Sequence, residues 1–130
     1  MTLPRPVYHR WGYDYWQQLP DGRVAAGGCR DLAMDAEWTY DATPTAAIQE
    51  AITALLRDRV GARAPITHRW AALVSYSDDE LPVLEPVRDG VWVAGAYSGT
   101  GNVLSSLCAR AAVRALLGEN PEPVPLLARA

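Results

Sequence analysis

Lysine and phenylalanine are both missing from these 130 residues: all 12 basic side chains are arginine, and the aromatic load falls on five Trp and six Tyr. Alanine is abundant, so the arginine usage reads as coding bias. Without lysine a phosphate-binding P-loop is excluded. Cysteine is scarce: Cys29 and Cys108 cannot build a disulfide framework, and their flanks show no metal-ligand spacing. A net charge of only -3 gives no electrostatic case for nucleic acid. The longest uncharged apolar stretch, around residues 91–94, is far shorter than the roughly 20 residues that cross a bilayer. Met1-Thr2-Leu3-Pro4-Arg5-Pro6 lacks the apolar core of a signal peptide. These absences predict a reduced, cytoplasmic chain that engages neither membrane nor nucleic acid and holds no metal.

What is present is ordinary for a folded domain, with 49% apolar and 21% charged residues, and no linker or internal repeat divides it. Residues 7–15 carry Val7, Tyr8, Trp11, Tyr13 and Tyr15, which suit a pleated, half-buried surface; a strand is expected through much of the segment. Leu19-Pro20-Asp21-Gly22-Arg23 supplies a turn into a second strand over 23–26 that stops at Gly27-Gly28, making a hairpin. Residues 31–41 read as a polar connection. Thr43 then reads as a helix N-cap with Pro44 at the first helical position. Ala47, Ile48, Ala51, Ile52, Leu55 and Leu56 form one apolar helix face, and Gly61 marks its end.

Residues 66–76 read as another strand, running into the acidic turn Ser77-Asp78-Asp79-Glu80. A short strand over 81–84 contains Pro82, as edges and strand starts do. Arg88-Asp89-Gly90 turns the chain into a buried strand over 91–94. After the glycine-rich loop 95–102, Val103, Leu104, Leu107, Cys108, Ala111, Ala112, Ala115 and Leu116 form a second helical face ending at Gly118. Residues 119–130 make a proline-rich tail. The fold class expected is α+β, a mixed and mainly antiparallel sheet with two packed helices, in one unit over 1–118.

The strand–glycine loop–helix unit is the strongest chemical signal. Glycines 95, 99 and 101 permit close backbone approach, and a helix start offers N–H groups to an anion. The spacing G-x-x-x-G-x-G is not the dinucleotide fingerprint G-x-G-x-x-G. A cofactor contact and a packing turn both satisfy it. His68 and His9 have no orienting partner visible in the sequence and read as structural. Cys29 reads as an inert thiol, and Asp78, Asp79 and Glu80 as a solvated turn. No residue stands out as a catalyst.

Four ordered motifs resemble one family. Pro20-Asp21-Gly22-Arg23 followed by Gly27-Gly28 resembles the "PDGR…GG" hairpin of the D-amino-acid-oxidase-like FAD-dependent oxidoreductases, the group of glycine, sarcosine and gamma-glutamylputrescine oxidases. Ile66-Thr67-His68-Arg69-Trp70-Ala71 is similar to its strand ending in Trp-Ala-Gly. Asp79-Glu80-Leu81-Pro82-Val83 resembles its "D-x-L-P-V" turn, and Gly95-Ala96-Tyr97-Ser98-Gly99-Thr100-Gly101 its "GG-x-S-G-H-G" loop.

The resemblance implies the C-terminal third of such an enzyme: part of the substrate-domain sheet, then the last strand, loop and helix of the FAD domain. It makes Ser98, Gly99, Thr100, Gly101, Asn102 and Val103 flavin neighbours and Tyr8, Val74 and Tyr97 substrate-binding. It implies FAD as cofactor, bound only together with a dinucleotide unit carrying G-x-G-x-x-G, which this sequence lacks. A partner chain supplying that unit, or self-association, follows. Thr100 stands where the family has histidine, Ala72 where sarcosine oxidases attach flavin through cysteine, and Val103 where they carry a carboxylate-binding lysine. Val74 replaces the arginine of glycine oxidases. With both carboxylate anchors apolar, the expected substrate shifts from amino acids towards amines. The alternative is a non-catalytic product of a truncated gene or a small interaction module.

Overall fold

The structure, a computed structural model, describes residues 2–120; the expected proline-rich tail lies almost wholly outside them. It is α+β, and its contacts divide it into two compact units that meet in sequence at Leu73 and Val74.

In the first unit, strands β1 (Val7–His9), β2 (Asp14–Gln18) and β3 (Val24–Gly28) form an antiparallel sheet in that order. Val7 pairs with Trp16, and Asp14 with both His9 and Gly28. The expected single strand over 7–15 is therefore two strands. Arg10, Trp11 and Gly12 turn between them with φ of 49°, 60° and 89°. The Arg10 side chain reaches back to Asp14 and across to Asp31, which holds that turn closed. The second hairpin follows the Asp-Gly signal, with Leu19 N–H donating to the Arg23 carbonyl, and β3 runs two residues further than expected.

The connection expected over 31–41 contains a 3-10 turn (Arg30–Ala33) that runs into one turn of α-helix, α1 (Met34–Glu37). Helix α2 (Ala46–Leu55) begins after Thr45, not Thr43. The Thr43 amide and hydroxyl are both bound to the Asp41 carboxylate in a local turn, which removes Thr43 from capping. Thr45 is extended, and its hydroxyl donates to Glu37. Ile48 and Leu55 of α2 are buried, and the helix lies against β3. Leu56–Val60 closes it as a wide π turn, and Gly61, at φ 76°, ends it in the left-handed form that glycine adopts without a Cβ clash.

The expected strand over 66–76 is absent. Residues 66–74 make no backbone hydrogen bond to another segment among the described residues and are exposed, Trp70 at 63% and Val74 at 56%. The sequence pattern is strand-like, but a strand needs a neighbour to pair with, and none of the described strands lies beside it.

The second unit is a two-stranded antiparallel hairpin, β4 (Val83–Arg88) and β5 (Val91–Gly95), packed by helix α3 (Gly101–Leu116). Strand β4 starts after Pro82, which is fully buried and cannot donate to a ladder. β5 is not the buried strand expected: Val93 is 38% exposed, because a two-stranded sheet with one helix covers a single face. Cys108 and Ala111 of α3 are buried, whereas Val103 and Leu116 of the apolar series face solvent, as does Val113 outside it. Gly118 caps the helix at φ 74°, its N–H donating to the Ala115 carbonyl and that of Glu119 to Arg114.

Candidate functional site

The glycine-rich loop connects β5 to α3 by a tight left-handed path. Ala96, Ser98 and Gly99 have φ of 51°, 48° and 85°, so two of the three are residues whose Cβ resists that conformation. Such backbone costs of order 1–3 kcal/mol per residue and persists where surrounding bonds over-determine it. Those bonds are present. Ser98 N–H donates to the Ser75 carbonyl at 3.1 Å, and Ser77 N–H donates to Ser98 Oγ at 3.3 Å.

The Ser98 and Thr100 hydroxyls of the loop are engaged internally. Thr100 Oγ1 donates to the Tyr97 carbonyl at 2.6 Å, and Ser98 Oγ lies among Ser77 N, Ser77 Oγ and the Ala96 carbonyl. Among the main-chain donors, Ser98 N–H is held by Ser75 and Thr100 N–H donates to the Tyr97 carbonyl at 2.9 Å. Thr100 is the N-cap of α3, and its carbonyl accepts from Val103 and Leu104. The N–H groups of Gly99, Gly101 and Asn102 have no partner among the described residues. Adding a Cβ at Gly95 would meet nothing within 4 Å, and at Gly99 only the Tyr76 hydroxyl at 3.9 Å. The corner thus offers three amide donors and open space at the positive end of a 16-residue helix. That donor set suits the carbonyl and nitrogen acceptors at the pyrimidine edge of a flavin.

Residues 97–103, expected to act together, share this corner. Gly99, Thr100, Asn102 and Val103 are exposed, Val103 at 66%, and Ser98 and Tyr97 are half-buried. Burial, with Cys108 nearby, pushes the Tyr97 phenol above its ordinary range. Gly101 packs beside the Tyr97 ring, where a Cβ would stand 3.5 Å from Cδ2. Val74 precedes Ser75 in the segment bonded to the loop. Tyr8 belongs to the first unit, where it stacks on Tyr15 with ring centroids 5.8 Å apart.

Two features escaped the sequence. Ser75 and Ser77 hold the loop from more than twenty positions upstream, a pairing no local spacing announces. In the first unit, Asp14 is 4% exposed and gathers Arg10, His9 Nδ1 at 3.3 Å and Cys29 Sγ at 3.4 Å. Arg10 holds its carboxyl well below the usual carboxylate range, with His9 and Cys29 adding to the effect. Burial, then the Asp14 carboxylate, pushes the Cys29 thiol up to about 11. His9 thus has the partner that the sequence did not show. No group of three or more His, Cys, Asp or Glu among the described residues is placed to hold a metal ion. No helix among them is long and apolar enough to cross a membrane.

A strand entering a glycine corner whose amides open a long helix is the arrangement the family motif calls for, and the family model of FAD-dependent oxidoreductases (DAO) matches this chain over residues 2–115. The chain belongs to that family. It is 31% identical over 108 residues to the Probable oxidoreductase OrdL of Rhizobium meliloti (strain 1021), a match covering 83% of this chain. The match covers 24% of that protein, so the chain spans about a quarter of the length of this curated relative. No solved structure matches.

Proposed function

We propose that residues 1–118 are the C-terminal part of an FAD-dependent enzyme that oxidises the C–N bond of an amine or amino acid. The observation that carries this reading is the trio of unpartnered amides at Gly99, Gly101 and Asn102, in a chain of this family. When bound, the flavin supplies the hydride acceptor. The chain's own contribution is to present those amides, with the helix N-terminus, to the cofactor's pyrimidine edge, where they favour negative charge. Ser98, Gly99, Thr100, Gly101, Asn102 and Val103 are its flavin neighbours, and Tyr97, Val74 and Tyr8 its substrate contacts. With Val74 and Val103 apolar, the loop offers no cation to a substrate carboxylate, which favours amines.

FAD binding needs a dinucleotide unit that residues 1–130 do not contain. It comes from a partner chain or from further sequence, and assembly takes place in the cytoplasm. The exposed segment 66–74 supports this, since its backbone, unpaired among the described residues, and its apolar side chains suit an added strand neighbour.

The test is a flavin absorption spectrum of the chain purified alone and after co-expression with a polypeptide carrying the family's dinucleotide fingerprint. Bound flavin in the second preparation, and little in the first, is the expected outcome. Flavin in neither overturns the reading.

A further inference from the structure

The left-handed run at 96–99 needs something to hold it, and the structure shows what does. The Ser98 amide is tied to the Ser75 carbonyl, and the Ser98 hydroxyl accepts from the Ser77 amide. Ser77 Oγ lies 3.4 Å from Ser98 Oγ and donates to the Leu81 carbonyl at 2.6 Å. One hydroxyl therefore links the glycine corner to the segment before it, and the next anchors that segment to the start of the β4 hairpin. We propose that Ser77 and Ser98 are positioning residues: their bonds keep Ala96, Ser98 and Gly99 left-handed and so aim the Gly99, Gly101 and Asn102 amides at the flavin. This rests on the functional reading above. It changes the role of Ser98, whose hydroxyl faces the protein and acts on the cofactor only through the backbone it holds.

The amides can be read without cofactor. In the isotope-labelled chain, Ser98→Ala removes the acceptor of the Ser77 amide, and Ser98→Gly removes it while easing the backbone. Ser77→Ala removes the anchor to Leu81 and carries the test if the Ser98 variants fail to fold. The expected result is at least tenfold faster hydrogen exchange at the Ser77 and Ser98 amides of the Ser98 variants. The Gly99, Gly101 and Asn102 resonances should be displaced in all three variants, with the far-ultraviolet spectrum unchanged. Unmoved resonances in a folded variant overturn the proposal, as does full restoration by Ser98→Gly. In the co-expressed assembly, the variants should retain flavin at least tenfold more weakly than the parent; equal retention with displaced amides also overturns it. An assembly of the parent sequence without flavin sinks the functional reading instead, since the amide measurements need no cofactor.

Discussion

Arg10 grips Asp14 with both ends of its fork: Nε donates to Oδ2 at 2.6 Å and Nη2 to Oδ1 at 2.7 Å, while Nη1 donates to Asp31. The carboxylate is buried and the arginine half-exposed, so the pair acts chiefly by satisfying Asp14 within the sheet. Asp14→Asn should destabilise the first unit by about 1.5–3 kcal/mol, the range for hydrogen bonds to charged groups. Arg10→Met should act in the same direction. Urea unfolding followed by tryptophan fluorescence reads this, since Trp11, Trp16, Trp38 and Trp70 lie in that unit and only Trp92 in the other.

The same pair sets an acid limit. The folded carboxyl titrates below its unfolded value of about 3.9. Its contribution is therefore complete above that pH and fades as pH falls through it towards the folded value. Between about pH 4 and pH 2 the parent should lose stability more steeply than Asp14→Asn. Parallel slopes would show that Asp14 does not carry the acid response.

Both thiols should be silent in the native chain. Cys29 and Cys108 are 4% and 0% exposed, and burial raises both above the ordinary thiol range. The thiolate is the reactive form, so a disulfide reagent at pH 8 should titrate neither cysteine until denaturant is added. Rapid stoichiometric labelling of Cys29 would contradict its burial against Asp14.

Gly28 is irreplaceable for a backbone reason. At φ 113°, an added Cβ would overlap the Tyr13 carbonyl, which the Cys29 amide already holds at 2.7 Å. Gly28→Ala should cost about 1–3 kcal/mol from backbone strain alone, with overlap adding to it. Unfolding midpoints compare it with Gly22→Ala, where a Cβ meets nothing within 4 Å and only the strain applies.

Local chemistry was legible in the sequence wherever neighbours in the chain decide it. Asp21-Gly22 gave its hairpin, Gly61 and Gly118 their helix ends, and Gly99 and Gly101 the corner opening α3. Pairings between distant residues were not legible. The break at Arg10 depends on Asp31, the displaced cap at Thr45 on Glu37 and Asp41, and the shape of the glycine corner on Ser75 and Ser77. Residues 66–76 failed in the opposite sense: their composition suits a strand, but pairing is decided by a neighbour that the described residues do not include.

The central claim is that this chain holds one edge of a flavin site whose pyrophosphate half lies elsewhere. Titrating FAD against the purified 130-residue chain, followed by flavin fluorescence or calorimetric heat, tests it most directly. A helix N-terminus contributes about 0.3–1 kcal/mol to an exposed anion and up to about 2 when partly buried, against the roughly 8 kcal/mol of a micromolar complex. The account predicts a dissociation constant weaker than the micromolar range. Saturation at or below about 1 μM without a second polypeptide would show a complete site within these residues and contradict it.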